Sequence, residues 1–317
     1  MKRRTFLKNA TWSSAALSAA PVLASDLFLT NVPTSAPEHP LKISLAQWSL
    51  HRSFNEGNLK VVDFANIAMD SYEIEAVEYV NTFYMEWGTD EAFWNSMKEM
   101  AANAGVSSLL IMVDDEGDLG IANDNKRKRS VKNHFKWVNA AKILGCHSIR
   151  VNAFGDRTEG TYRTALIDSI GRLGDYASKE NINVLIENHG LFSSDAKLMA
   201  DVIQQVDKSN VGTLPDFGNW CLTAKYGSTQ GECKQVYDRY QGVSELLPYA
   251  KGVSAKSYNF NESGEDRIID YYKMLKIVKD SGYKGYIGIE YEGTEMREHE
   301  GILATKALLE NAWNTLN

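Results

Sequence analysis

Val184-Leu185-Ile186-Glu187 is an apolar run of strand length that stops on a carboxylate. Thr213-Leu214-Pro215-Asp216 and Ile287-Gly288-Ile289-Glu290 repeat the arrangement. A carboxylate at the end of a buried strand is costly unless a metal or a positive partner compensates it. Three such ends point to one shared pocket rather than to three accidents of packing.

Working outward, strand and helix patterns alternate eight times. The expected strands are 42–49, 74–80, 106–113, 148–152, 183–187, 211–216, 252–257 and 286–290. Between them lie apolar residues at helical spacing: Val61, Phe64, Ala65 and Ala68; Val131, Phe135, Val138, Ala141 and Ile143; Leu166, Ile170, Leu173 and Tyr176; Tyr271, Met274, Leu275 and Val278. A last helix is expected over 299–313. Gly105, Gly145 and Gly282 follow helix patterns and precede strands, where a left-handed stop is needed. Eight such units with no second composition zone predict a single-domain α/β protein, a (β/α)8 TIM barrel over 42–317. The competitor is a doubly wound open sheet. It would usually carry a Gly-rich nucleotide loop after an early strand, and none is found.

The chain has 317 residues, 44% of them hydrophobic, which suits one large barrel with a substantial core. The net charge of −7 disfavours a nucleic-acid partner. Lys126-Arg127-Lys128-Arg129 reads as the solvated face of a helix start. Arg3-Arg4-Thr5-Phe6-Leu7-Lys8, followed by an Ala/Ser-rich stretch and Pro21-Val22-Leu23-Ala24, resembles a twin-arginine export signal over 1–24. Residues 25–41 read as a Pro-marked linker. The expected destination is the periplasm, with no membrane anchor after cleavage. Cys146, Cys221 and Cys233 have no CxxC spacing. A disulfide framework is not expected, and a single Cys221–Cys233 bond stays open.

In such a barrel the functional groups sit at the carboxyl ends of the strands. That rim reads Trp48 and His51, Glu78, Asp114, Asn152, Glu187 with His189, Asp216 with Asn219, Lys256, and Glu290. Glu187, Asp216 and Glu290 are hard oxygen donors suited to magnesium or manganese. Trp48, His51, Tyr84, Trp87 and Trp220 are candidates to stack on a sugar ring, with Asn152 and Asn219 bonding its hydroxyls. Lys256 either stabilises a developing oxyanion or pairs with Asp216. Glu292 is read as a solvated loop residue, with a second rim acid as the other possibility. His134 and His147 are read as structural.

The motifs Ile186-Glu187-Asn188-His189-Gly190, Leu214-Pro215-Asp216-Phe217-Gly218-Asn219 and Ile287-Gly288-Ile289-Glu290, with Ile74-Glu75-Ala76-Val77-Glu78, resemble the xylose isomerase-like TIM-barrel superfamily. The resemblance covers the chain after the linker. It implies a divalent metal held by Glu187, Asp216 and Glu290, with Glu187 and Glu290 moving protons on opposite sides of a sugar. It also implies a histidine ligand on the seventh strand, where this chain has Ser254 beside the retained Lys256. His189 is a substitute ligand or, more in keeping with such sites, a substrate contact. Glu78, Trp48, His51, Asn152, Asn219 and Trp220 complete the expected substrate set.

The resulting expectation is an exported, metal-dependent sugar isomerase or epimerase that abstracts a proton beside a carbonyl. β-Elimination or hydrolysis of a keto-glycoside begins with the same step and is the variant. A DNA phosphodiesterase of the same superfamily is disfavoured by charge and by the few histidines. A non-catalytic sugar-binding barrel is the alternative from another class, with Ser254 as its support. Which sugar is processed and whether the chain forms a homo-oligomer stay open, as does the role of residues 222–235, as a lid or a subunit contact.

Overall fold

The computed structural model describes residues 40–316. The expected export segment lies outside the described residues, as does the linker up to residue 39. Eight parallel strands form one sheet: β1 Ile43–Ala46, β2 Ala76–Val80, β3 Ser107–Val113, β4 Ser148–Asn152, β5 Asn183–Glu187, β6 Val211–Leu214, β7 Val253–Ser257 and β8 Ile287–Tyr291. Sequential neighbours pair from β1 to β6, and β8 joins β1 to β7. The ring closes between β6 and β7 by isolated parallel bridges, Thr213 with Ala250 and Asp216 with Ser254. Pro215 has no N–H to give to a ladder, and β6 ends just before it. The Pro215 carbonyl still accepts from Ser254 N at 2.9 Å, so the seam is bonded although irregular.

A short helix, α1 (His51–Asn55), follows β1. The outer layer is α2 Phe64–Tyr72, α3 Glu91–Asn103, α4 Asp124–Leu144, α5 Glu159–Lys179, α6 Ala196–Val206, α7 Arg239–Leu246, α8 Tyr271–Asp280 and α9 Glu298–Asn314. Their starts are specified locally. Asp90, Asn123, Asp195, Asp238 and Asp270 each accept the backbone N–H three residues on, the N-cap contact that these side chains favour. Gly105, Gly145 and Gly282 adopt positive φ, as the turn geometry requires.

The period-2 alternation of the strands divides the buried residues into two sets. Ile149, Val151, Val184, Ile186, Val253, Ala255, Ile287 and Ile289 face outward and join the large core between sheet and helices. Ala46, Val80, Leu110, Met112, Leu185 and Leu214 form a separate apolar cluster within the barrel, covered by Trp48 and Phe83. Above and beside this plug the inward positions turn polar: Arg150 and Asn152, Glu187, Ser254 and Lys256, and Glu290 are all buried.

Several readings from sequence need correction here. Trp220 is fully buried, with its ring against Gly242 and beside Tyr237; it is a core residue, not a sugar platform. Tyr84 is buried as well and bonds Gln47 and the Val61 carbonyl. Trp87 stacks on Phe93 of α3 at 4.5 Å, outside the barrel. Cys221 and Cys233 are joined in a disulfide. The long connection between β6 and α7 is therefore a closed strap rather than a free loop.

Replacing Trp220 with Ala should cost about 3–5 kcal/mol, the usual range for emptying a large aromatic site in a core. A shift of the urea midpoint with an unchanged slope would show it. Loss of activity at full stability would return Trp220 to the site.

Candidate active site

Glu187 ends β5, Asp216 follows β6, and Glu290 lies near the end of β8. One carboxylate oxygen of each lies within 4.8 Å of the others, and all three residues are buried. The backbone beneath them is locked from the sequence motifs. Asn188 accepts from Asp216 N at 2.7 Å and donates to the Asp216 and Asn219 carbonyls, tying β5 to β6. Asp216 Oδ1 accepts from the backbone N–H groups of Gly218 and Asn219 at 2.8 and 2.7 Å.

Two cations stand among the acids. Arg150, on the inward face of β4, places Nε 2.8 Å from Glu187 Oε2 and Nη1 2.7 Å from Asp114 Oδ1. The Arg150–Glu187 contact is an ion pair at an angle outside hydrogen-bond geometry, so Glu187 Oε2 accepts no hydrogen bond. Lys256 is paired in register with Glu290 on the neighbouring strand. Its Nζ lies 3.5 Å from Glu290 Oε1 and 3.3 Å from Glu292 Oε2. Of the two roles expected for Lys256, pairing with Asp216 is thus replaced by pairing with two glutamates. Glu292 also accepts from the Trp48 indole at 2.7 Å, so it belongs to the site wall, contrary to the reading as a solvated residue.

Ser254, where the resemblance calls for a histidine, puts Oγ 2.7 Å from both Asp216 Oδ2 and Glu290 Oε2. One hydroxyl carries one proton and cannot donate to both. One of those oxygens therefore needs a proton or a cation of its own. The protonation trend agrees. Burial pushes the Glu187 carboxyl well above the usual range, although Arg150 draws it down. Burial also raises Asp216 to about 6, against the pull of Lys256. Lys256 stays charged: burial opposes its charge, but Glu290, Glu292 and Asp216 outweigh it. Burial likewise resists the ionised form of Asp114, yet Arg150 and its neighbours hold that carboxyl below its ordinary value. Buried negative charge thus exceeds the positive charge provided to balance it. All-oxygen donors in such a setting fit a hard divalent cation.

A cavity of about 310 Å³ opens onto this cluster. Trp48, Arg150, His189, Lys256, Glu290 and Glu292 line it, together with Tyr226 and Ser228 of the strap. His189 Nδ1 contacts Asn152 Oδ1, which also accepts from Arg150, so Nδ1 carries the proton and Nε2 is left as an acceptor. Burial first, then Arg150 and Lys256, lower the His189 pKa to about 3, so the ring is neutral.

Four residues expected to touch substrate stand behind the wall instead. His51 stacks on Trp48 at 4.6 Å and bonds the Trp48 carbonyl. Asn152 is held by Asp114, Arg150 and His189. The Asn219 amide, close to Glu187, satisfies both its ends when its nitrogen donates to the Tyr226 carbonyl and its oxygen accepts from Lys256 Nζ, each at 3.1 Å. Glu78 lies within the barrel, accepting from Ser44 Oγ at 2.6 Å. Its room comes from Gly288 opposite, where an added Cβ would sit 2.6 Å from Glu78 Oε1.

Sequence reasoning placed Asp114 on the rim without giving it a role, and it did not assign Arg150, Tyr226 or Ser228 to the site. Period 2 could have found Arg150 from Asn152, and Glu292 from Glu290, because residues two apart share a face. The strap residues carry no such signal.

The chain belongs to the xylose isomerase-like TIM barrel family, whose model matches residues 64–312. It is similar to a Mus musculus protein that carries the name of a hydroxypyruvate isomerase, 23% identical over 62% of this chain and 74% of that one. Among solved structures it resembles a D-tagatose 3-epimerase-like protein (TM-score 0.65, 16% identity, 87% of this chain and 98% of that one). It also resembles a 3-keto-D-glucoside 4-epimerase from E. coli (TM-score 0.65, 14% identity, 86% of this chain and all of that one). The fold is that of sugar epimerases and isomerases.

Burial raises the Glu78 carboxyl to about 7. A carboxyl near 4.5 in the unfolded chain binds protons less tightly than the folded one, so stability falls as pH rises from about 4.5 to 7 and stays reduced above. The difference is on the order of 3 kcal/mol. In chelator, the wild type should lose more melting temperature between pH 5 and pH 8 than Glu78→Gln. Parallel pH curves for the two would show that Glu78 is not held protonated.

Proposed function

We propose that this protein is a sugar isomerase or epimerase that removes a proton from the carbon beside a carbonyl and returns one to the neighbouring carbon or the opposite face. The observation that carries this reading is the cluster of three buried carboxylates beside one sugar-sized cavity, which Glu290, Lys256 and Arg150 line. Glu187 and Glu290 come from strands three places apart round the ring, so they approach the cluster from different sides. One abstracts the proton as a base while the other donates as an acid. Burial raises the Glu187 pKa, which favours its protonated form and so its return of a proton as an acid. Lys256 supplies a fixed positive charge where an enediolate oxygen develops. Arg150 orients Glu187 and balances part of its charge. Trp48 offers an apolar face to the ring, and its indole is fixed by Glu292.

Glu187, Asp216 and Glu290 would hold a magnesium or manganese ion, with Ser254 beside two of them. When bound, the ion supplies polarisation of the substrate carbonyl. The cavity's cations, Arg150 and Lys256, are already paired with acids, which favours an uncharged sugar over a phosphorylated one. A keto-glycoside whose leaving group departs after the same abstraction is the second reading. Its support is the likeness in fold to a 3-keto-D-glucoside 4-epimerase. Export to the periplasm through the twin-arginine route belongs to the proposal as well. The Cys221–Cys233 disulfide supports an oxidising destination.

Ketoses and 3-keto-glycosides incubated with the enzyme in deuterium oxide should gain one solvent deuteron at the reacting carbon. Sugars recovered unlabelled from the whole panel would remove the proton-transfer reading. Glu187→Gln and Glu290→Gln should each lower kcat about 10²–10⁴-fold. Their melting temperature without metal should be unchanged or higher, because each removes a poorly balanced buried charge.

Protein stripped with EDTA should rise in melting temperature on adding manganese or magnesium. The gain is about 2.7 kcal/mol at a hundredfold excess over Kd. Absence of a shift with either ion at millimolar concentration would take the cation out of the proposal.

A further inference from the structure

The strap between β6 and α7 contributes a residue whose placement the carboxylate chemistry does not explain. Tyr226 sits at φ +68°, the left-handed region that a bulky side chain rarely enters, and Gly227 follows at +67°. Its ring is nearly half exposed, yet it lines the cavity over the carboxylates. It meets His189 edge-on at 5.3 Å and Phe154 at 5.6 Å. His189 follows β5, which stands opposite β1 in an eight-strand ring, so Tyr226 faces the cavity from the side opposite Trp48.

The strap is held down tightly at its root. It crosses Gly190 so closely that a Cβ there would lie 2.2 Å from the Ala224 carbonyl and 2.6 Å from Gly227 N. Asn219, between the Tyr226 carbonyl and Lys256 Nζ, links the strap to the charged cluster. The Cys221–Cys233 bond closes the loop that contains Tyr226 and Ser228. Cys221 is fully buried, while Cys233 is partly exposed, so a reductant meets the Cys233 sulfur. Residues 222–232 are polar or glycine for the most part, so besides this bond they are held by polar contacts: bridges of Lys225 with Gly190 and of Ser228 with Asn219, and Thr229 Oγ1 donating to the Gly218 carbonyl at 2.9 Å.

We propose that Tyr226 is a specificity-determining residue, the second aromatic wall for a sugar ring whose first wall is Trp48, and that the Cys221–Cys233 disulfide sets its position. The inference rests on the sugar reading of the site and adds that substrate affinity depends on the oxidised strap. Reduction removes the covalent closure and leaves Tyr226 held beside His189 by the non-covalent contacts of the strap's root alone, so its place there is less sharply fixed. The carboxylates, Arg150 and Lys256 are held by strands and keep their geometry. The effect should therefore fall on KM and not on kcat.

The test uses the whole mature protein with D-fructose, D-psicose and methyl 3-keto-glucoside as probes. For whichever probe is turned over, Tyr226→Ala, Cys221→Ser/Cys233→Ser and the wild type reduced with phosphine should each raise KM about tenfold. Their kcat should stay within about twofold, and Tyr226→Phe should match the wild type. Hydrogen exchange supplies a second readout that needs no substrate. Amides of 222–232, including Leu222 N, which donates to the Gln235 carbonyl, should exchange at least tenfold faster in the reduced chain. Those of 184–187 should be unchanged. An unaltered KM in Tyr226→Ala, or equal strap protection with and without the disulfide, would overturn the proposal. Failure of the wild type on every probe would count against the sugar reading, and the exchange rates would then still decide whether the disulfide holds the strap.

Discussion

The structure depends on how negative charge is tolerated at the mouth of a buried cylinder. Glu187, Asp216 and Glu290 converge where water is largely excluded, and Asp114 and Glu292 adjoin them. Arg150 and Lys256 are the counterweights, each shared between two acids. Two positive charges do not balance the set. The excess appears as raised carboxyl pKa values, a Glu187 oxygen that has the Arg150 ion pair but accepts no hydrogen bond, and a Ser254 hydroxyl contacting two acids with one proton. A site arranged this way is costly as packing and useful as chemistry. Its all-oxygen donor set suits a hard cation, and burial raises the carboxyl pKa values of Glu187 and Asp216.

The rest of the barrel serves that cluster. Apolar side chains fill the interior next to it, so the charged layer rests on a dry floor. Register does the fine placement. Lys256 and Glu290 are lateral partners on β7 and β8, and Asn152 and Glu187 are partners on β4 and β5. Gly288 leaves the space that Glu78 occupies. Residues predicted to touch substrate, such as Asn152 and Asn219, act one step back. They fix the orientation of His189, Lys256 and the strap. Polar groups near a reacting centre need hydrogen-bonded support if they are to hold one geometry.

The strap is a different kind of element. Its conformation comes from a covalent closure, two left-handed residues in succession and glycine-to-glycine contact with the loop after β5. It brings an aromatic ring and a hydroxyl to a cavity otherwise built from strand ends. Family members that share the strands and differ in this connection would share the carboxylate cluster and differ in the wall of the cavity.

Much of this was legible in the chain. Strand 148–152 and strand 183–187 were predicted to the residue, and β2, β3, β7 and β8 to within two, because continuous apolar runs bounded by glycine turns leave little freedom. The terminal carboxylates of three such runs do come together in the structure, since a parallel barrel places all strand ends on one rim. Which side of the wall each polar residue occupies was not legible. Trp220 and Trp48 look alike in one dimension, yet one packs under Gly242 and the other lines the cavity. The pairing of Lys256 with Glu290 and Glu292, the reach of Arg150 and the arrival of Tyr226 depend on register and on a loop closed through Cys233. Local periodicity fixes the face a side chain takes on its own strand. Only the closed ring decides which neighbours it meets there, because those neighbours come from distant parts of the chain.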